Sequence, residues 1–220
     1  MSPAAHAPLS TTPAACGAVL LAAGASSRMG APKALLVHSD GRTFLRAACE
    51  SLHAAGAAPL VVVLGHQREL IEEELHRVSS SLPAGALELA INPAPERGQL
   101  SSICTGLAAL SDRVPSALLA LVDQPSLPRE VLARLLDAAA REPGALHVPL
   151  FAGARGHPAI FPTALLAGLR AAREGESARE VIARLAVPVR EHAVESASVL
   201  LDLDTPEELA AWRARQEETR

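Results

Sequence analysis

From residue 17 onward, short apolar runs alternate with longer segments whose apolar positions recur at helical spacing. Residues 17–22, 59–65, 87–91, 117–122 and 145–149 are almost continuously apolar, the pattern of strands covered on both faces. Between them, residues 44–56, 68–78, 100–110 and 129–141 carry the 3.6-residue period of amphipathic helices. Strand and helix in alternation predict parallel strands joined by crossover helices, hence a three-layer α/β sandwich. Beyond residue 150 the pattern loosens into a strand-like 156–161, helices near 163–173 and 178–185, and an apolar run at 199–201. Thr205-Pro206-Glu207-Glu208 then reads as a helix start: a capping Thr, Pro in the first helical position and Glu three residues beyond the cap. That helix is expected to run to about residue 216. Residues 1–14 are expected to be a disordered extension and residues 15–220 a single domain without internal repeats.

Composition narrows the function classes. The 220 residues are 49% hydrophobic and 20% charged, enough to build a core without staples. Lys and Arg number 20 against 24 Asp and Glu, so the chain lacks the basic surplus of a nucleic-acid binder. Three cysteines without a C-x-x-C pair suggest a reducing compartment and no structural zinc. No two of the eight histidines lie within five residues of each other, so a helix-borne H-x-x-x-H zinc site is absent. The apolar stretch 18–25 follows a segment with no Lys or Arg, unlike a signal peptide, and no run approaches the roughly 20 residues needed to span a bilayer. A cytoplasmic location and no membrane partner are expected.

The chemistry concentrates where the first strand ends, in Leu20-Leu21-Ala22-Ala23-Gly24-Ala25-Ser26-Ser27-Arg28-Met29-Gly30-Ala31-Pro32-Lys33. Small residues let backbone N–H groups approach phosphate oxygens, Arg28 can chelate them, and Lys33 adds a point charge. Such loops are also ordinary soluble turns, and the residues alone do not separate the two readings. The segment is neither a Walker A loop nor G-x-G-x-x-G. Asp123 follows the fourth apolar run, at the strand edge where ligands of open α/β sheets bind; a carboxylate there can hold Mg²⁺ or can simply begin a turn. Asp204, just before the last helix, is equally suited to entering a helix.

The loop resembles the nucleotide-binding loop of the nucleotidyltransferases that include the molybdenum cofactor cytidylyltransferases. The likeness continues through Asn92-Pro93, Gly98-Gln99-Leu100-Ser101-Ser102, Asp123-Gln124-Pro125, Gly156-His157-Pro158 and Leu203-Asp204-Thr205-Pro206-Glu207. It implies a Rossmann-like three-layer α/β/α sandwich with a mostly parallel sheet, of the nucleotidyltransferase type, and a nucleoside monophosphate passed to an acceptor with release of pyrophosphate. It further implies that Leu21, Ala22, Ala23, Gly24, Arg28, Lys33, Asn92, Gly98, Ser101 and Ser102 bind the nucleotide. Arg28, Lys33 and Asp123 would be catalytic, and Asp123 and Asp204 would hold Mg²⁺, with Asp202 a weaker candidate. His157 and Arg179 would face the acceptor, with a structural histidine and a solvated arginine as the alternatives.

Members of the family that use CTP tend to carry Leu-Ala-Ala-Gly and those that use GTP Leu-Ala-Gly-Gly, so Ala23 points to CTP. The expected reaction is transfer of CMP from CTP to the phosphate of a pterin acceptor, the molybdenum cofactor, with a molybdenum hydroxylase as client. One departure concerns the acceptor: Glu174-Gly175-Glu176-Ser177-Ala178-Arg179 stands where relatives carry Gly-Asp-x-Gly-Ala-Arg. A related transferase with another phosphorylated acceptor, or a non-catalytic cofactor-binding or insertion factor, are the alternatives. A metal-dependent glycosyltransferase is disfavoured because the acid of Val122-Asp123-Gln124 stands alone.

Overall fold

Six consecutive small or apolar residues leave β1 (Gly17–Ala22) no face suited to water, and all six are buried. The computed structural model describes residues 16–173 and 175–218, so the expected extension over residues 1–14 and Glu174 lie outside the described residues. β2 (Leu60–Leu64) and β4 (Ser116–Leu121) flank β1, both parallel to it, and β3 (Leu87–Ile91) adds to β2, again parallel. Beyond β4 the sheet changes direction. β7 (Ala159–Pro162) runs antiparallel between β4 and β5 (Leu146–Phe151), which in turn pairs with the two-residue β6 (Ala154–Arg155) and, in parallel, with β8 (Val189–Ala193). The result is one eight-stranded, mostly parallel mixed sheet.

Side chains alternate between its faces with the period of two that a strand imposes. Ala18, Leu20, Val62 and Leu118 enter a core with α1 (Phe44–Ala54), α2 (Arg68–Ser81), α4 (Arg129–Arg141) and α7 (Pro206–Glu218). Val19, Leu21, Val61 and Leu119 enter the opposite core with α3 (Gln99–Leu110), α5 (Leu166–Arg170) and α6 (Ala178–Arg184). This is the Rossmann-like three-layer sandwich, each fully buried Leu, Ile or Val contributing about 1.5–3 kcal/mol. No described helix is long and apolar enough to cross a membrane.

The capping reading of Thr205 holds: its Oγ1 accepts from the Glu208 N–H (3.2 Å) and the Glu208 carboxylate accepts from the Thr205 N–H (3.0 Å). In the last third one expectation is corrected and two features were not assigned in the sequence. The apolar run 199–201 falls on a 3₁₀ turn, Ala197–Leu200. Its Val199 carbonyl accepts from the His157 N–H at 2.8 Å, which brings the turn against Gly156, where an added Cβ would stand 2.3 Å from that carbonyl oxygen. The helix expected over 163–173 starts as a 3₁₀ turn and ends at Arg170. β8 carries no apolar run at all, because an exposed edge strand is satisfied by ion pairs such as Arg190–Glu142 and Arg155–Glu191.

Candidate active site

The parallel strands β1, β2, β3 and β4 deliver their carboxyl-terminal loops to one edge of the sheet, and a cavity of about 430 Å³ opens there. Leu21, Ala22, Ala23, Gly24 and Arg28 form one wall and Gly98, Gln99 and Ser102 another, with Lys33, Asp123 and Asp204 at one end. The first loop is held by its own polar atoms. The N–H of Lys33 donates to Ser26 Oγ at 3.1 Å and that of Met29 to Ser26 O at 3.0 Å, while the Met29 side chain is buried. Arg28 and Lys33 therefore project from a closed turn rather than from a loose segment.

Asp123 lies two residues beyond β4, and its carbonyl accepts from the Leu203 N–H at 3.1 Å. Leu203 is buried in the core, so this bond and that burial fix the segment before α7 and bring Asp204 beside Asp123. Lys33 Nζ lies 2.8 Å from Asp123 Oδ2 and 2.6 Å from Asp204 Oδ1, and Arg28 reaches Asp204 Oδ2 at 2.7 Å. Four charged residues drawn from three separate parts of the chain thus meet at one point. Burial lowers the proton affinity of the Lys33 ammonium, but hydrogen bonds and charge from the two carboxylates outweigh it and its pKa is raised. The hydrogen bond from Lys33, reinforced by Arg28, pulls the Asp204 carboxyl below its ordinary value.

Asp123 Oδ1 is buried and lacks a hydrogen-bond partner. An oxygen-only pair of carboxylates with one oxygen left over suits a hard divalent cation such as Mg²⁺, which takes one or two carboxylates together with substrate phosphates. Among the described residues no group of three His, Cys, Asp or Glu side chains could form an all-protein metal cage. No thiol is poised as a nucleophile either: burial pushes Cys16 and Cys49 up to about 12.

Other residues singled out in the sequence sit elsewhere. Asn92 is buried and its amide donates to Ser101 Oγ (2.8 Å) and Ser102 Oγ (2.9 Å), while its Oδ1 accepts from the Ala94 N–H (3.0 Å). Asn92 and Ser101 thus lie behind the cavity wall, whereas Ser102 lines it. His157 lies outside the lining; burial lowers its pKa, and the charges of Asp202, Asp123 and Arg179 all reach it. Its Nδ1 is buried without a partner. Arg179 is exposed in the first turn of α6. Asp202 accepts from Gln124 Nε2 at 3.1 Å, and burial raises its pKa. In the divergent segment, Glu176 is held by Arg184 at 2.9 Å and accepts from the Arg173 N–H at 2.8 Å. The sequence reading missed His66, Ile71, Pro95 and Glu96, which also line the cavity. His66 and Glu96 follow the ends of β2 and β3, and the strand-edge rule that singled out Asp123 would have found them.

The model of the MobA-like NTP transferase domain matches residues 18–190. A protein of Paenarthrobacter nicotinovorans named nicotine blue oxidoreductase is 30% identical over 174 residues, which cover 76% of this chain and 80% of that one. A molybdenum cofactor guanylyltransferase of Rhodopseudomonas palustris is 28% identical over 206 residues, covering 90% and 91%. Among solved structures, the manganese complex of Rv0371c from Mycobacterium tuberculosis superposes with a TM-score of 0.71 at 26% identity, covering 92% of this chain and 100% of that one.

Proposed function

The chain belongs to the MobA-like NTP transferase family, and from that premise we propose that it transfers CMP from CTP to the phosphate of the molybdenum cofactor, releasing pyrophosphate. The observation that carries the transferase reading is the meeting of Lys33 with Asp123 and Asp204 at the end of a cavity walled by the Gly24 loop. Cations and carboxylates in that arrangement suit a triphosphate and its divalent cation, and a pure insertion factor would need neither. The oxidoreductase name stays with the Paenarthrobacter relative; a phosphate-handling site has no need of it.

In the proposed reaction the loop from Gly24 to Ser27 takes the triphosphate against its backbone, and Arg28 and Lys33 pair with phosphate oxygens. A Mg²⁺ held by Asp123 and Asp204 would neutralise phosphate charge and polarise the α-phosphorus. An oxygen of the acceptor phosphate attacks that phosphorus, the bond to the bridging oxygen of the β-phosphate breaks, and pyrophosphate departs with the bonding pair. The attacking oxygen is already anionic, so no protein base is required, and the chain's contribution is alignment and charge stabilisation. His157, kept neutral by burial, and Arg179 stand on the acceptor side in this reading, the latter as the cation.

Ala23 supports CTP, while the Rhodopseudomonas relative's name supports GTP as a second reading. Purified protein incubated with Mg²⁺, molybdenum cofactor and each nucleoside triphosphate separates them by pyrophosphate release. Release that needs the cofactor and is fastest with CTP is expected; faster release with GTP reverses the nucleotide assignment. Release restored only by a different phosphorylated acceptor would remove the molybdenum cofactor, and with it a molybdenum hydroxylase as client.

A further inference from the structure

Among the described residues, Lys33 touches both site carboxylates, taking Asp123 Oδ2 at 2.8 Å and Asp204 Oδ1 at 2.6 Å. Arg28 takes the remaining Asp204 oxygen at 2.7 Å. Two cations and two anions balance, so three of the four carboxylate oxygens are engaged by the protein itself. The two cations differ in their surroundings: the Lys33 side chain is 13% exposed, that of Arg28 68%. A divalent cation held by the two carboxylates competes with the ammonium for the same oxygens. If Lys33 yields, its charge is left largely buried and unpaired, which is costly unless another anion receives it. A triphosphate is that anion, and the cavity that would hold it opens directly beside Lys33.

Resting on the nucleotidyltransferase reading, we propose that Lys33 is a built-in competitor of the divalent cation: it clamps Asp123 and Asp204 together until phosphate oxygens take over its ammonium. Arg28 makes the same exchange from Asp204 at the exposed side. The cation and the triphosphate then bind cooperatively, each strengthening the other by the same factor. The clamp also keeps the carboxylate pair from collecting divalent ions when no nucleotide is present.

The test is Mn²⁺ binding to the whole protein without nucleotide, followed by electron paramagnetic resonance of the free ion. Lys33→Met is expected to bind Mn²⁺ about 10-fold or more tightly than the wild type, a coupling of ordinary size. Adding Asp123→Asn to it is expected to remove the gain, and saturating CTP or GTP to shrink the difference by raising wild-type affinity. Unchanged or weaker Mn²⁺ binding by a Lys33→Met protein with wild-type circular dichroism overturns the proposal, as does a gain that survives Asp123→Asn. Failure of the enzymatic reading shows separately, as no pyrophosphate release by the wild type with any nucleotide, and leaves the metal titration interpretable.

Discussion

Asp123 has one carboxylate oxygen on Lys33 and the other buried without a partner. A buried polar atom left unsatisfied costs about 1–3 kcal/mol, more when charged, so the arrangement favours a ligand that fills it. Asp123→Asn keeps the shape and removes the charge; turnover with Mg²⁺ is expected to fall about 100-fold or more, as for loss of other preorganised charge stabilisers. Thermal unfolding should barely move, and undiminished turnover would remove Asp123 from the metal site. His157 titrates in the opposite sense to a paired histidine. Burial lowers its pKa, so between about 6.5, the ordinary value, and the lower folded value the unfolded chain binds the extra proton. Its contribution to stability is complete above about 6.5 and is lost as pH falls through the folded pKa. His38 and His192 are lowered by burial too, so the comparison must be between proteins. His157→Gln is expected to lose less stability than the wild type between pH 7.5 and 5.5 in urea titrations, and equal losses would mean that His157 is not held neutral.

At the scale of elements, the junction between β3 and α3 depends on one amide. Asn92 donates to both serine hydroxyls at the helix start and accepts from Ala94, which folds the 3₁₀ turn Pro95–Arg97 against the cavity. Asn92→Ala takes the partner from Ser102 Oγ and the Ala94 N–H, while Ser101 Oγ keeps its bonds to the Gly98 and Ala94 carbonyls, and is expected to cost about 1–3 kcal/mol in urea unfolding while weakening nucleotide binding through the displaced wall. Unaltered stability would mean that the clamp is dispensable. The sequence pointed to Asn92, Ser101 and Ser102 together, but only coordinates reveal that they bond to one another. Local patterning was enough for some elements: β1, β3 and α4 have the bounds that periodicity predicts, β1 because burial on both faces keeps it continuously apolar and α4 because its buried positions recur at helical spacing. β8 was illegible because an exposed edge strand of Val-Arg-Glu-His-Ala owes its place to partners distant in sequence. The apolar run at 199–201 left its element open for the converse reason, since Val199 is apolar for packing in a turn and not for a strand. Arg28, Lys33, Asp123 and Asp204 stood out because loop chemistry and strand ends are written locally. The bridging of both carboxylates by Lys33 was not, because it depends on the distant Leu203–Asp123 contact.

Nucleotide choice belongs to the whole molecule, because the loops of β1, β2 and β3 pack on each other beneath the cavity. Ala23 lines the cavity, but it is 5% exposed and belongs to the core around α3. Its carbonyl accepts from the His66 N–H at 3.2 Å, and a Cβ added to Gly65 would lie 3.0 Å from the Ala23 Cβ and 2.8 Å from the Pro95 Cβ. The Ala23 methyl is therefore a spacer in a three-loop stack, and its effect on the base would pass through Gly65 and Pro95 more than through direct contact. Ala23→Gly is expected to relax the proposed preference for CTP, moving the CTP-to-GTP ratio of kcat/KM toward GTP by about 10-fold, the scale of one methylene in a packed pocket. Gly65→Ala pushes the same loops apart from the other side and is expected to raise KM for both nucleotides, because its Cβ meets Pro95 and the backbone of Ala23 with little room to yield. An unchanged ratio in Ala23→Gly, with Gly65→Ala raising both KM values, would leave the stack as scaffold and place discrimination on other lining side chains such as Glu96 and Gln99.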